Sequence, residues 1–277
     1  MKRNLFITLF ILICALSFSL PTLAKGTESA VTVFVNGQKM TSDTEALLIN
    51  STTYVPLTSF CKTLASTDTA WNEKTKTATV STAGTLISAR ANENYISANG
   101  RILYSDKSSF LSSGRIYVSA RQIADAFCAD VSWDGATRSV YINTTGKYLQ
   151  NGSSYYNEND LYWLSRIISA ESRGEPLKGK IAVGNVVLNR VRSSSYPNSI
   201  HGVIFDTRFG VQFSPIINNS IYDTPTEESI LAAKICLEGY TLSSEILYFF
   251  NKDIATSAWI SENRPFAFKI GSHSFYL

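Results

Sequence analysis

The chain has 277 residues, with 25 Lys and Arg against 22 Asp and Glu and a formal net charge of +3. So small a surplus gives no electrostatic footprint for nucleic acid, although it leaves the chain unrepelled by an anionic cell wall. With 44% hydrophobic and 12% aromatic residues there is material for a packed core, and the length suits two domains of ordinary size.

Lys2 and Arg3 precede an apolar run over residues 5–20, which ends in Pro21-Thr22-Leu23-Ala24. That order predicts a secretory signal peptide over residues 1–24, cleaved after Ala24. The competing reading is an uncleaved anchor, for which the run is marginal against the ~20 apolar residues a span needs. The expectation is a secreted protein with no stable membrane insertion after cleavage. Cys14 follows the bulky Ile13, which argues against a lipoprotein-type cysteine.

Three cysteines then remain, Cys61, Cys128 and Cys236, an odd number that cannot form a closed disulfide framework. Cys61 and Cys128 either pair or stay as buried thiols. His201 and His273 are the only two histidines and lie far apart in sequence, so no metal site and no cofactor are expected.

Residues 31–143 contain an imperfect internal repeat. The first copy runs through Val33-Phe34-Val35-Asn36-Gly37, Tyr54-Val55-Pro56-Leu57, Ala70-Trp71-Asn72 and Thr77-Ala78-Thr79-Val80. The second runs through Tyr95-Ile96-Ser97-Ala98-Asn99-Gly100, Ile116-Tyr117-Val118, Ser132-Trp133-Asp134 and Ser139-Val140-Tyr141-Ile142-Asn143. Each copy predicts strand, turn, strand, helix, turn, strand, with the Asn-Gly pairs as tight turns. Ile123, Ala126 and Phe127 keep helical spacing in the second copy. A small β-rich α+β module with pseudo-twofold symmetry follows. It resembles the copper amine oxidase N-terminal-like domain, a stalk-type module of secreted bacterial proteins. The resemblance implies a spacer or wall-binding role, against plain scaffolding; it implies no copper, and the segment has no histidine.

Residues 144–154 read as a linker, rich in turn formers such as Thr144-Thr145-Gly146 and Asn151-Gly152-Ser153. The second domain, residues 155–277, opens with a helix capped by Asn157 or Asn159. Leu161, Leu164, Ile167, Ile168 and Glu171 share its apolar face, and Gly174 and Pro176 end it. The next helix, residues 179–191, is apolar nearly all round, with Asn185 and Asn189 on one face where they could line a cleft. A third begins with Thr224 as N-cap, Pro225 at N1 and Glu227 at N3, and Gly239 closes it. Residues 246–250, 266–270 and 273–276 read as strands. The whole is α+β in two domains.

There is no G-x-S-x-G elbow and no H-E-x-x-H, so carboxylate chemistry remains. Cys236 would need His201 or His273 in space to act as a nucleophile. A glutamate on an apolar helix face should have a raised pKa and stay protonated near neutral pH, the state of a general acid. Glu171 is that glutamate; the alternative is a buried ion pair with Arg166 or Arg173. Glu175 can share its side of the helix end, or can merely cap loop amides. Asp206, Asp223 and Asp253 are candidate second carboxylates.

The stretch Ala170-Glu171-Ser172-Arg173-Gly174-Glu175-Pro176 resembles the SleB/CwlJ family of cell-wall hydrolases. So do Gly179-Lys180-Ile181-Ala182-Val183, Val187-Leu188-Asn189-Arg190-Val191, Gln212-Phe213-Ser214, Tyr248-Phe249-Phe250-Asn251 and Ile270-Gly271-Ser272-His273. The resemblance implies a lysozyme-like catalytic fold, peptidoglycan as partner, and cleavage between N-acetylmuramic acid and N-acetylglucosamine. Glu171 takes the catalytic position. Glu175, Asn189, Gln212, Tyr248, Asn251 and Trp259 become candidate substrate contacts. A lone acid suits a lytic transglycosylase, with spore cortex or vegetative wall as substrate. Hydrolytic muramidase action, a zinc-requiring amidase and a non-catalytic wall-binding role are the rivals.

Overall fold

The computed structural model describes residues 29–208, 210–253, 255 and 258–277; the expected signal peptide lies outside them. The first half of the chain begins with strands β1 (Ser29–Val35), β2 (Gln38–Lys39), β3 (Ala46–Ile49) and β4 (Thr52–Pro56), then helix α1 (Leu57–Leu64) and strands β5 (Thr67–Asn72) and β6 (Thr77–Thr82). After β7 (Thr85–Arg90) the series repeats as β8 (Tyr95–Ala98), β9 (Arg101–Tyr104), β10 (Phe110–Ser112) and β11 (Arg115–Ser119). Helix α2 (Ala120–Ala126), β12 (Ala129–Asp134) and β13 (Ser139–Thr144) complete it. The two Asn-Gly turns adopt matching left-handed pairs, φ 50° and 78° at Asn36-Gly37 and 49° and 80° at Asn99-Gly100. That geometry suits a two-residue hairpin and explains why glycine occupies the second place.

The twofold relation is visible in pairing. Equivalent strands β4 and β11 pair antiparallel with each other, Val55 opposite Val118. Away from that axis the halves differ. β1 pairs directly and in parallel with β13, whereas β7 intervenes between β6 and β8. The repeat pattern contained no counterpart of β7, so this strand is an addition to the expected module. The result is two sheets, ordered β10-β11-β4-β3-β1-β13-β12 and β5-β6-β7-β8-β9, with β2 on the flank of β1. One apolar cluster, including Val55, Phe60, Ile87, Ile96, Val118, Ile123 and Ile142, fills the space between them.

The segment expected as a plain linker carries a short helix, α3 (Gly152–Tyr155). Gly152 donates its N–H to the Asn99 carbonyl at 2.8 Å, and a Cβ there would fall 2.5 Å from the Gly100 oxygen. Only glycine permits that approach, so the linker is clamped to the Asn99-Gly100 turn.

The second half comprises α4 (Glu158–Ser172), α5 (Leu177–Arg192), α6 (Ile200–Ile204) and α7 (Glu227–Leu237). Then follow β14 (Tyr248–Asn251), α8 (Trp259–Asn263), β15 (Phe266–Ile270) and β16 (His273–Tyr276), with the sheet ordered β14-β16-β15. Asn157 caps α4 by accepting from the Asp160 N–H at 3.0 Å. Helix α7 is capped by Thr226, not Thr224. Thr226 Oγ1 accepts from Ser229 N at 3.1 Å and meets Ser229 Oγ at 2.7 Å, so a hydroxyl pair replaces the expected glutamate capping box. Helix α5 is the axis of the core. Ile181, Ala182, Val183, Val186 and Val187 are fully buried, and a Cβ on Gly184 would fall 2.7 Å from Cys236 Sγ on α7.

The two halves meet over a buried polar joint. Arg101 donates to Glu238 through Nε at 3.0 Å and Nη2 at 2.5 Å, with side chains only 15% and 8% exposed. The Tyr156 hydroxyl donates to Glu238 Oε1 at 2.5 Å and accepts from Ile102 N at 3.0 Å. Around it the Tyr104 and Tyr240 rings pack edge-on at 4.5 Å, and Ile102 joins the second domain's core.

Candidate active site

A cleft of about 1300 Å³ opens in the second domain between the C-terminal ends of α4 and α5 and the β14 edge. Glu171 lines it from the last turn of α4, where the face of Leu164, Ile167 and Ile168 reaches the cleft wall. Burial raises the Glu171 carboxyl to about 7, against an opposing pull from the Arg190 guanidinium. The ion-pair alternative does not form. Arg166 donates to the backbone carbonyls of Tyr222 and Asp223, and Arg173 to that of Thr224. A carboxyl with that pKa is half protonated near neutrality and has a proton to give.

Asp206 is the second carboxylate in the cleft. Its Oδ1 accepts from Arg208 N at 3.1 Å and Nε at 2.9 Å, and its Oδ2 from Nη2 at 2.8 Å. The side-chain bond from Arg208 holds the Asp206 pKa below the ordinary range, so this group stays ionised. The other two candidates, Asp223 and Asp253, are not among the lining residues.

Four of the expected substrate contacts, Gln212, Tyr248, Asn251 and Trp259, do line the cleft. Tyr248 and Trp259 stand with ring centroids 6.5 Å apart, and the Arg264 guanidinium lies 4.7 Å over the first and 5.3 Å over the second. Strand alternation predicts that only one set of β14 side chains faces the groove. All four residues from Tyr248 to Asn251 touch the cleft, and Phe249 also packs into the second core against Phe213 and Phe275, as alternation requires of one set.

Two expected contacts lie elsewhere. Glu175 is not on the cleft: its carboxylate accepts from the Ser272 backbone N–H at 3.1 Å and from the Ser272 hydroxyl. It ties the β15–β16 turn to the α4–α5 corner, the alternative of loop-amide capping. Asn189 is buried, and its Nδ2 donates to the carbonyls of Ser243 at 3.0 Å and Ile246 at 2.9 Å. Asn185 Nδ2 likewise donates to the Tyr240 carbonyl at 3.0 Å, while its Oδ1 accepts from the Leu242 N–H at 2.9 Å. Both amides satisfy an irregular backbone that would otherwise bury unpaired polar groups.

The lining residues that sequence reasoning did not offer as contacts include Arg190, Tyr196 and His273. Burial, then a hydrogen bond with Tyr248, pushes the Tyr196 phenol up to about 12. Burial lowers His273, opposed by nearby Glu175. Arg190 is 5% exposed; its Nε donates to the Leu247 carbonyl at 2.8 Å. The signal for Arg190 was a cation at the end of an otherwise apolar helix.

Among the described residues Cys61, Cys128 and Cys236 are free. Burial pushes Cys61 up to about 12 and raises Cys236, whose Sγ donates to the Ile181 carbonyl at 3.4 Å. Neither is an activated nucleophile. Among the described residues no group of three or more His, Cys, Asp and Glu could hold a metal ion.

Residues 174–276 match the family described as Cell Wall Hydrolase, and residues 34–142 the family described as Copper amine oxidase N-terminal domain. The first match begins three residues after Glu171. The chain is 42% identical over 130 residues to a spore cortex-lytic enzyme of Bacillus cereus, covering 47% of this chain and 48% of that protein. It is 39% identical over 120 residues to a spore cortex-lytic enzyme of Bacillus subtilis, covering 43% and 38%. The chain thus spans about half or less of the length of these relatives. Among solved structures, the catalytic domain of the germination-specific lytic transglycosylase SleB from Bacillus anthracis is 41% identical, covering 47% of this chain and 100% of that one, TM-score 0.41. The catalytic domain of the Bacillus cereus SleB protein is 40% identical, covering 48% and 99%, TM-score 0.40. By these matches the first half of the chain is similar to the copper amine oxidase N-terminal domain and the second half to the cell wall hydrolase family.

Proposed function

We propose that the chain cleaves the glycan strand of peptidoglycan between N-acetylmuramic acid and N-acetylglucosamine, as a lytic transglycosylase. The observation that carries this reading is the pairing of a protonatable Glu171 with an Asp206 whose oxygens are all engaged by Arg208. One acid is then available, and one acid suffices. Glu171 gives its proton to the glycosidic oxygen as the C1–O bond breaks. Its carboxylate next takes the proton of the muramic acid 6-hydroxyl, whose oxygen bonds to C1. The product end is a 1,6-anhydro sugar, and Glu171 finishes protonated as it began.

The names of the relatives support a wall substrate, and the cortex of a spore is the form of it that their names carry. A secreted, wall-associated location follows from the same reading, with the first domain as spacer or wall contact. Hydrolysis is the second reading, favoured by the presence of an ionised Asp206 in the cleft, since two carboxylates serve ordinary glycosidases. Mass spectrometry of digested peptidoglycan separates them. Anhydro-muropeptides are expected; new reducing ends would mean hydrolysis, and free stem peptides an amidase. Undiminished cleavage by Glu171→Gln would overturn the assignment of the acid.

A further inference from the structure

A second groove lies in the first domain. It encloses about 550 Å³ and is lined by one face of α1 (Thr58, Ser59 and Lys62), by Trp71 on β5, and by Asp43 with Arg115 of β11. Clefts that take small ligands run from about 300 to 1,000 Å³ and combine an apolar or aromatic wall with a few placed polar groups. Trp71 is 42% exposed, yet its indole is fixed, since Nε1 donates to Glu73 Oε2 at 2.6 Å and Lys76 holds the same carboxylate. The polar groups are fixed as well. Ser42 Oγ donates to Ser59 Oγ at 2.8 Å, and the Arg115 guanidinium is forked onto Asp43 through Nε at 3.3 Å and through Nη2.

The internal repeat shows why this groove is open. Val55 and Val118 pair across the twofold axis, so Ser59 and Lys62 of α1 stand where Gln122 and Asp125 stand in α2. Gln122 is buried, and its Nε2 donates to the carbonyls of Leu103 at 3.1 Å and Asn94 at 3.3 Å. Asp125 faces the joint, in a cavity it shares with Arg101 and Tyr240. That helix face is thus occupied in the second copy, by its own strands and by the second domain. In the first copy a serine replaces the glutamine, and the face lines a groove. Trp133, the counterpart of Trp71, is 46% exposed but has Gly135 where Trp71 has Glu73, so exposure does not distinguish the two rings while the anchor does. Strand β5 is also the far edge of its sheet, roughly 19 Å by strand spacing from β9, which carries Arg101 of the joint. The groove is clear of the joint.

We infer that this groove is a saccharide site separate from the cleft, taking N-acetylated amino-sugar units of a glycan strand against the Trp71 indole. A sugar ring has an apolar face of C–H bonds and a polar rim. An indole offers a rigid apolar surface to the face, and hydroxyls that both donate and accept suit the rim, as does the Arg115–Asp43 fork. A phosphate polymer fits less well, because Asp43 takes up the charge of Arg115 and leaves Lys62 as the remaining basic side chain of the lining. The kind of sugar rests on the glycan-cleaving reading above, whereas the site rests on the groove itself.

The test titrates the full chain, isotope-labelled and carrying Glu171→Gln so that ligand is not consumed, with a hexamer of N-acetylglucosamine. Each indole N–H gives its own NMR signal, assigned by changing each tryptophan in turn to Phe. A saturable shift of the Trp71 signal with Trp133 unmoved is the expected result. Trp71→Ala should also lower the fraction of chain that sediments with insoluble peptidoglycan by about 3- to 10-fold. An unmoved Trp71 signal, equal shifts of Trp71 and Trp133, or unchanged sedimentation overturns the inference. So does a Trp71 signal that answers to glycerol phosphate or to a stem peptide and not to the sugar. If Trp71→Ala does not fold, the titration stands without it, and Arg115→Gln, which removes the fork, must show the loss in sedimentation. Trp259 reports the cleft in the same titration. A shift of Trp71 with Trp259 unmoved supports this site and counts against the glycan-cleaving reading; a shift of Trp259 alone overturns this site and leaves that reading standing.

Discussion

Glu175 and Gly271 stand so close that a Cβ on Gly271 would lie 1.7 Å from Glu175 Oε2. Gly271 also has φ +57°, the left-handed region. Gly271→Ala is therefore expected to expel the carboxylate from the Ser272 amide and loosen the β15–β16 hairpin. A fall in Tm together with lost activity checks it. Glu175→Gln keeps the shape but weakens the bonds to Ser272, and should cost about 1–3 kcal/mol in denaturant unfolding.

Glu171→Gln should abolish turnover while stabilising the fold at alkaline pH. Its folded pKa of about 7 lies above the ordinary 4.5, so the wild-type fold favours the proton. That contribution is complete below the ordinary value and is lost as pH rises through about 7. At pH ~8 the glutamine variant is expected to gain at most about 3 kcal/mol over wild type, and nothing at pH ~4. Equal Tm differences at both values would contradict the burial argument.

The rate itself should fall with rising pH as Glu171 loses its proton near 7. Asp206 titrates below the usual carboxylate range because Arg208 binds it, so it contributes no limb near neutrality. Asp206→Asn is expected to lower activity without changing the product from anhydro ends. A switch in product, read by mass spectrometry, would favour hydrolysis.

At the joint, Arg101→Met leaves Glu238 buried with the Tyr156 hydroxyl and without its cation. Breaking one side of a buried ion pair costs about 3–5 kcal/mol. A drop in Tm with cleft activity retained at low temperature is the expected result.

Local signals carried the reading of α4. Its apolar face, Asn157 cap and Gly/Pro end all lie within one helix, so Glu171 could be placed by spacing alone. Helix α5 gave no such reference, because an all-round apolar helix has no polar stripe to show its rotation. Asn189 and Arg190 are neighbours in sequence, and only packing against residues 243–247 decides that the amide braces backbone and the guanidinium lines the cleft. The partner of Glu175 is 97 residues away, beyond any spacing rule. Strand β7 was hidden for a different reason: Leu86 on its outward side is 54% exposed, which blurs the alternation of buried Thr85, Ile87 and Ala89.

The clamp of Gly152 on the Asn99-Gly100 turn, with the Arg101–Glu238 joint beside it, removes the slack that a free tether over residues 144–154 would otherwise give. Orientation is thereby shared between the halves. On the proposed function, any surface that holds the first domain would also set the angle at which the cleft meets a glycan strand, as a fixed jaw does and a blade on a cord does not.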